Sequence, residues 1–170
     1  MGVFYEFDEV DAFTVGAVGE PGARTFFLQA RRGTTRVSVK CEKLQASAIA
    51  DYLAKVLDDL PAVSDRPLPA AMELSDPVEA AFVLGPVGLG YDRPNDRVLV
   101  QLEEVVPTDE EGEPDPVALE DRGHLRVFLT RSQARGFCDR ASTVVSAGRP
   151  ACLFCGLPKD PAGHICPRMN

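Results

Sequence analysis

The sequence predicts an α+β fold: two internally duplicated β-β-β-α units with pseudo-twofold symmetry, a mostly antiparallel sheet, and a small C-terminal zinc-binding tail. Three observations predict it. Similar residues recur in the same order in two halves of the chain. The hydrophobic period switches from two to 3.6 at the corresponding place in each half. The last stretch crowds three cysteines and a histidine at metal-ligand spacing.

The recurrence is specific in its spacing. Phe13-Thr14-Val15-Gly16-Ala17-Val18-Gly19 returns as Phe82-Val83-Leu84-Gly85-Pro86-Val87-Gly88. Phe26-Phe27-Leu28-Gln29-Ala30 is echoed by Val98-Leu99-Val100-Gln101-Leu102, and Arg36-Val37-Ser38-Val39 by Arg126-Val127-Phe128-Leu129. On the helices, Ile49, Leu53, Val56 and Leu57 answer to Phe137, Ala141, Val144 and Val145. These matches place repeat one near residues 12–60 and repeat two near 80–147, in a core of residues 1–147, with a tail of residues 148–170.

Each element has a local cause. Val3 to Phe7 alternates apolar and acidic residues and reads as a short strand, and Ala12 to Val18 as a second. Gly19-Glu20-Pro21-Gly22 has the composition of a turn. Thr25 to Arg31 follows, then a tight Arg32-Gly33-Thr34 hairpin. Val37, Val39 and Cys41 share one face of the next strand, with Arg36, Ser38 and Lys40 on the other. Ile49, Leu53, Val56, Leu57 and Leu60 stripe a helix from about Lys43 to Leu60, which Pro61 stops. Ala62 to Pro77, rich in Pro, Ala and Asp, reads as a linker.

The second unit repeats the plan. Strands near Ala80 to Gly85 and Arg97 to Val105 flank a turn-like Gly88 to Asn95. Pro107 to Gly123 is an acidic insertion whose composition predicts a mobile loop. Leu125 to Leu129 closes the sheet. Thr130-Arg131-Ser132-Gln133 has capping-box spacing and starts a helix that runs to about Ala147, with Gly148 beyond it.

Composition limits the function classes. With 170 residues, 45% of them hydrophobic, the chain can bury a real core. A net charge of −8 disfavours general binding to nucleic acid or an acidic membrane, because a polyanion is repelled at long range. The start shows no leader pattern, and the longest apolar stretch is far too short to span a bilayer. A cytoplasmic location is the expectation.

The metal motif is Cys152-Leu153-Phe154-Cys155-Gly156 followed by His164-Ile165-Cys166-Pro167. A C-x-x-C pair places two thiolates on one tight turn, and a following Gly permits the left-handed backbone that aims main-chain N–H groups at sulfur. Cys152, Cys155, His164 and Cys166 complete a tetrahedron suited to structural zinc, with no position open for water. Other constellations are weaker. Gly85 to Gly90 lacks the Lys-Ser/Thr of a phosphate loop and reads as a turn. His124 reads as a solvated side chain, the short acidic runs at Asp8, Glu9, Asp11, Asp58 and Asp59 as a wet face, and Cys41 and Cys138 as core. Arg36 and Arg126 begin corresponding strands, so a twofold assembly would set both about a central groove able to hold an anion.

Phe4-Tyr5-Glu6-Phe7, the Phe-x-x-Gly-x-Val-Gly strand, and above all the ending from Gly148-Arg149-Pro150-Ala151-Cys152 through Cys166-Pro167-Arg168-Met169-Asn170 resemble an actinobacterial family of conserved proteins of unknown function. The resemblance implies no catalytic residue. It does imply phosphorylated ligands or partners, because the family's genes lie with those of a histidine-phosphatase-like and a kinase-like protein.

Two functions suit these features. The first is a zinc-binding, non-enzymatic binding or adaptor module whose partner is another protein. The second is an enzyme or sensor for a small phosphorylated or nucleotide-like ligand held in the groove between repeats.

Overall fold

The computed structural model describes residues 2–20, 22–147, 152–156 and 165–168. Its elements are β1 (Phe4–Phe7), β2 (Ala12–Val18), β3 (Thr25–Arg32), β4 (Thr35–Cys41), α1 (Lys43–Asp58), β5 (Ala80–Asp92), β6 (Arg97–Glu104), the short α2 (Pro116–Asp121), β7 (His124–Leu129) and α3 (Arg131–Ser146). All seven strands form one sheet in the order β1-β7-β6-β5-β4-β3-β2. Its β4–β5 and β7–β1 pairings are parallel, and the other four are antiparallel.

The order strand-strand-strand-helix thus occurs twice, but the sequence matches do not keep register. Thr14 stands opposite Gln29, whereas Gly88, and not Val83, stands opposite Gln101. The cause lies in β5, which shifts register between Leu84 and Val87, around Pro86, and then runs on to Asp92. The turn expected from Gly88 to Asn95 is therefore mostly strand. Val87, Leu89 and Tyr91 pair with Leu102, Val100 and Val98 and supply an apolar face that the glycines between them had obscured.

One face of the sheet carries the core. Val15, Leu28, Val39, Val98, Val100, Leu102, Leu125, Val127 and Leu129 are fully buried there with Leu53 of α1 and Phe137 of α3. α1 lies on β5 and β3, α3 lies mainly on β2, and the two helices pack on each other. Each helix therefore covers the first strand of the other unit. Phe13 of β2 stacks on Phe137 of α3 with ring centroids 4.9 Å apart, and Arg140 Nε donates to the Val15 carbonyl at 3.2 Å. The capping box that starts α3 is present: Thr130 Oγ1 accepts from Gln133 N, and Gln133 Oε1 from Thr130 N, both at 3.0 Å.

The stretch from Ala62 to Pro77 is a strap, not a linker. Thr14, Gln29 and Ser38 sit side by side on the face of β2, β3 and β4 that the helices leave free, and each is no more than 2% exposed. The strap covers them. Thr14 Oγ1 donates to Met72 O at 2.5 Å. Gln29 Nε2 donates to Ser75 O and to Ser38 Oγ, both at 3.0 Å, and Gln29 Oε1 accepts from Ser75 N at 2.8 Å. Arg31 donates to Ala71 O, and Arg36 Nη1 to Ser75 Oγ at 2.9 Å. Gly16 makes room for the strap, since a Cβ there would run into the Leu74 side chain.

The acidic insertion is braced locally by its own acids. Asp109 Oδ1 accepts from the backbone N–H groups of Glu111 and Glu113, and Asp115 Oδ1 caps α2 through Val117 N. Thr108 and Pro114 form a β-bridge across it. Composition counted only the apolar area that the segment lacks, and missed these local side-chain-to-backbone bonds.

Gln29→Ala tests the strap. It leaves the part-buried backbone N–H and C=O of Ser75 without their side-chain partner, at up to about 1–3 kcal/mol for each group that water does not reach. We expect a stability loss of about 2–4 kcal/mol in chemical denaturation, with proteolysis starting between residues 62 and 77. A loss under about 0.5 kcal/mol would mean that the strap does not depend on this residue.

Candidate metal centre

Cys152, Cys155 and Cys166 bring their sulfur atoms within 4.8 Å of one another. The turn that carries the first two follows from its sequence. Gly156 adopts φ +73°, the left-handed region that favours glycine, and its N–H bonds the Cys152 carbonyl at 2.9 Å. Cys152 and Cys166 are buried, and Cys155 is half-buried. The Cys152 and Cys166 sulfurs lie 3.8 Å apart, far beyond the roughly 2.05 Å of a disulfide. Two sulfurs bound tetrahedrally at about 2.3 Å from one zinc ion stand about 3.8 Å apart, so the spacing suits a shared ion. His164, the fourth ligand expected from the motif, lies outside the described residues.

The electrostatics favour a thiolate here. The Cys152 pKa is pulled down to about 6, chiefly by the backbone N–H groups of Cys155 and Phe154, which outweigh the effect of burial. The thiols of the body move the other way. Desolvation pushes Cys41 up to about 12 and Cys138 up to about 11. Cys41 is buried, and half-buried Cys138 donates its S–H to Ala50 O at 3.3 Å, joining α3 to α1. Both are packing residues.

The remaining candidates have definite places. Arg36 holds the strap at Ser75, and Arg126 Nη2 donates to Gln101 Oε1 at 3.1 Å. Two strands separate β4 from β7, so the two guanidinium groups are not brought together. His124 is not simply solvated: its Nδ1 lies 3.8 Å from Glu103, which also pairs with Arg122 at 3.1 Å, and Phe4 approaches its ring. Three of the five acidic residues have partners as well. Asp11 accepts from Gly33 N, while Glu9 and Asp58 pair with Arg32 and Arg135.

A cleft of about 520 Å³ does lie between the two halves, lined by Asp8, Glu9, Arg32, Asp92, Arg97 and Phe128 among others. Its arginines are Arg32 and Arg97, which sequence reasoning missed. Both sit at hairpin ends that only the folded sheet makes adjacent.

The chain matches the family described as "Protein of unknown function (DUF3090)" over residues 5–166. The chain belongs to this family. The matched span includes the three cysteines of the site. No curated protein and no solved structure matches the chain. Among the described residues, no helix is long and apolar enough to cross a membrane.

The thiols give a pH test. In reduced, metal-free protein a tail that keeps the turn should ionise one thiol near pH 6, read as ultraviolet thiolate absorbance, and Cys152→Ser should remove that step. Because the folded pKa is depressed, the thiolate contributes to the turn's stability above the ordinary thiol range, and the contribution disappears as pH falls through about 6. A first ionisation at the ordinary thiol pKa near 8.5 would show that the turn holds its shape only with metal bound.

Proposed function

We propose that the protein is a zinc-stapled, non-enzymatic binding module, with Cys152, Cys155, Cys166 and His164 holding one structural zinc ion and the tail presented to another protein. The observation that carries it is the three-sulfur cluster together with what surrounds it. Leu153, Phe154 and Ile165 are 93%, 58% and 86% exposed. The turns that gather the sulfurs direct these large apolar side chains outward, where they add nothing to a core. Metal coordination is then the term that orders the tail, at about 10–16 kcal/mol of apparent binding in small zinc peptides. Outward apolar residues on a rigid turn are the chemistry of a protein contact. We read the body as a duplicated scaffold that carries this tail.

A second reading rests on the cleft between the halves. A small phosphorylated ligand would use Arg32 and Arg97 there, but Asp8, Glu9 and Asp92 line the same cleft and Glu9 already pairs with Arg32, so the binding-module reading is preferred.

The test is elemental analysis beside capture of partners from the native cell. Purified protein should carry about one equivalent of zinc. Cys155→Ser should lose it and expose the tail to protease while the body's melting temperature stays within a few degrees, as expected when metal orders only the segment that binds it. Leu153→Asp with Phe154→Asp should keep the zinc and lose the captured protein. Less than half an equivalent in carefully prepared protein would sink the metal assignment, and unchanged capture would sink the tail as contact surface.

A further inference from the structure

On the first unit, Gln29 and Arg36 show what a glutamine and an arginine on the free face of this sheet bind. Gln29 grips Ser75 at two points, with Oε1 taking the Ser75 N–H at 2.8 Å and Nε2 giving to the Ser75 carbonyl at 3.0 Å. Arg36 adds a bond to the Ser75 hydroxyl at 2.9 Å. A side-chain amide lies against a peptide group as one strand lies against another. The bound segment, Pro67-Leu68-Pro69-Ala70-Ala71-Met72-Glu73-Leu74-Ser75-Asp76-Pro77, is rich in proline. It makes one 3-10 turn at Pro69–Met72 and leaves it with extended backbone at Glu73, just before Ser75, and a glycine beneath it, Gly16, gives it room.

The second unit carries the same pair on the same face. Gln101 and Arg126 correspond in sequence to Gln29 and Arg36. Both project away from the buried Val100, Leu102, Leu125 and Val127, and they stand directly opposite each other on β6 and β7. Here the register brings them two residues closer than Gln29 and Arg36. Glycines lie alongside: Gly88 faces Gln101 and Gly90 faces Leu99 on β5, and a Cβ on Gly90 would meet nothing within 4 Å. Exposure separates the two faces. Gln29 is 0% exposed under the strap, whereas Gln101 and Arg126 are half-buried and Gly88 is exposed.

We propose that this face of β5, β6 and β7 binds a proline-rich, serine-bearing segment of a partner protein. Gln101 pairs with a peptide group of that segment, Arg126 bonds its hydroxyl, and Gly88 and Gly90 floor the trough. In the free protein Arg126 Nη2 donates to Gln101 Oε1, and Gln101 Nε2 donates to Glu103 Oε1 at 3.1 Å. The Gln101 amide is thus held in place until a peptide N–H takes over Oε1. The strap is this chain's own example of the occupant. The proposal adds a second contact surface to the binding-module reading and does not depend on the metal or the tail.

The probe is a synthetic peptide with the strap sequence, residues 67–77, titrated into full-length isotope-labelled protein and followed by amide chemical shifts. We expect the amides of Gly88, Gly90, Gln101 and Arg126 to shift together. Gln101→Ala should weaken binding about tenfold, because two hydrogen bonds are lost. A peptide with alanine in place of its serine should lose the part of the affinity that Arg126 supplies. Gly90→Val should block the peptide by filling the trough, and its unchanged melting temperature would show that the fold survives. Shifts confined to Thr14, Gln29 and Ser38 would mean exchange with the resident strap and would overturn the proposal, as would no shift at millimolar peptide. Repeating the titration with Cys155→Ser separates the outcomes: binding there stands whether or not the zinc reading does.

Discussion

The fold depends on the shortness of the crossing from β1 to β2. These strands are the two edges of a seven-stranded sheet, yet only Asp8–Asp11 separates them in the chain. From Phe7 to Ala12 the backbone reaches at most about 17 Å, while six strand spacings in a flat sheet come to about 29 Å. The sheet must therefore coil. A twist of about 20–25° per strand accumulates to roughly 120–150° and turns the end of β1 toward the start of β2. Buried Val10 sits in this crossing, and its carbonyl accepts from Gln133 Nε2 at 2.8 Å, so the crossing is fastened to the first turn of α3.

Coiling explains why neither half stands alone. α3 follows the last strand of the second unit but lies on the first strand of the first, where Phe137 meets Phe13. α1 follows β4 and lies against β5. Removing either helix exposes a strand of the other unit as well as its own, so the body should unfold as one cooperative piece. The hairpin joining β5 to β6 is tied in the same way. Asp96, at φ 51°, accepts from Tyr91 Oη at 2.6 Å and from Arg131 Nε at 2.9 Å. Those two bonds hold its carboxyl below the usual carboxylate range and join the hairpin to α3.

What could be read from the sequence divides along the range of the interactions. The alternation in Arg36 to Cys41, the stripe through Ile49 and Leu53, the capping box at Thr130 and the Cys152–Gly156 turn are set within a few residues, and all are present. Long-range features were not legible. The pairing of β1 with β7 joins residues some 120 positions apart, and no local period announces it. The strap was misread because its hold is on backbone atoms: the signal was in Thr14, Gln29 and Ser38, polar residues at strand positions that alternation assigns to solvent. β5 was cut short because glycine at 88 and 90 supplies no side chain for the alternation to show.

The two faces of the sheet divide its physical roles. The helix face is apolar and continuous, and its burial, at about 1.5–3 kcal/mol for each large side chain, stabilises both units together. The other face is polar and treated unequally by the chain. Over β2 to β4 it is sealed by the strap, which takes Gln29 to zero exposure and at the same time supplies the backbone partners that its buried amide needs. Over β5 to β7 the corresponding polar groups stay half-buried and bond one another through Gln101, Arg126 and Glu103. A sealed face needs a full set of hydrogen bonds from within the chain, whereas a face at the surface can exchange its bonds with water or with another molecule. That asymmetry follows from where the chain spends its one long segment between α1 and β5. It leaves the second unit as the half whose polar face remains accessible.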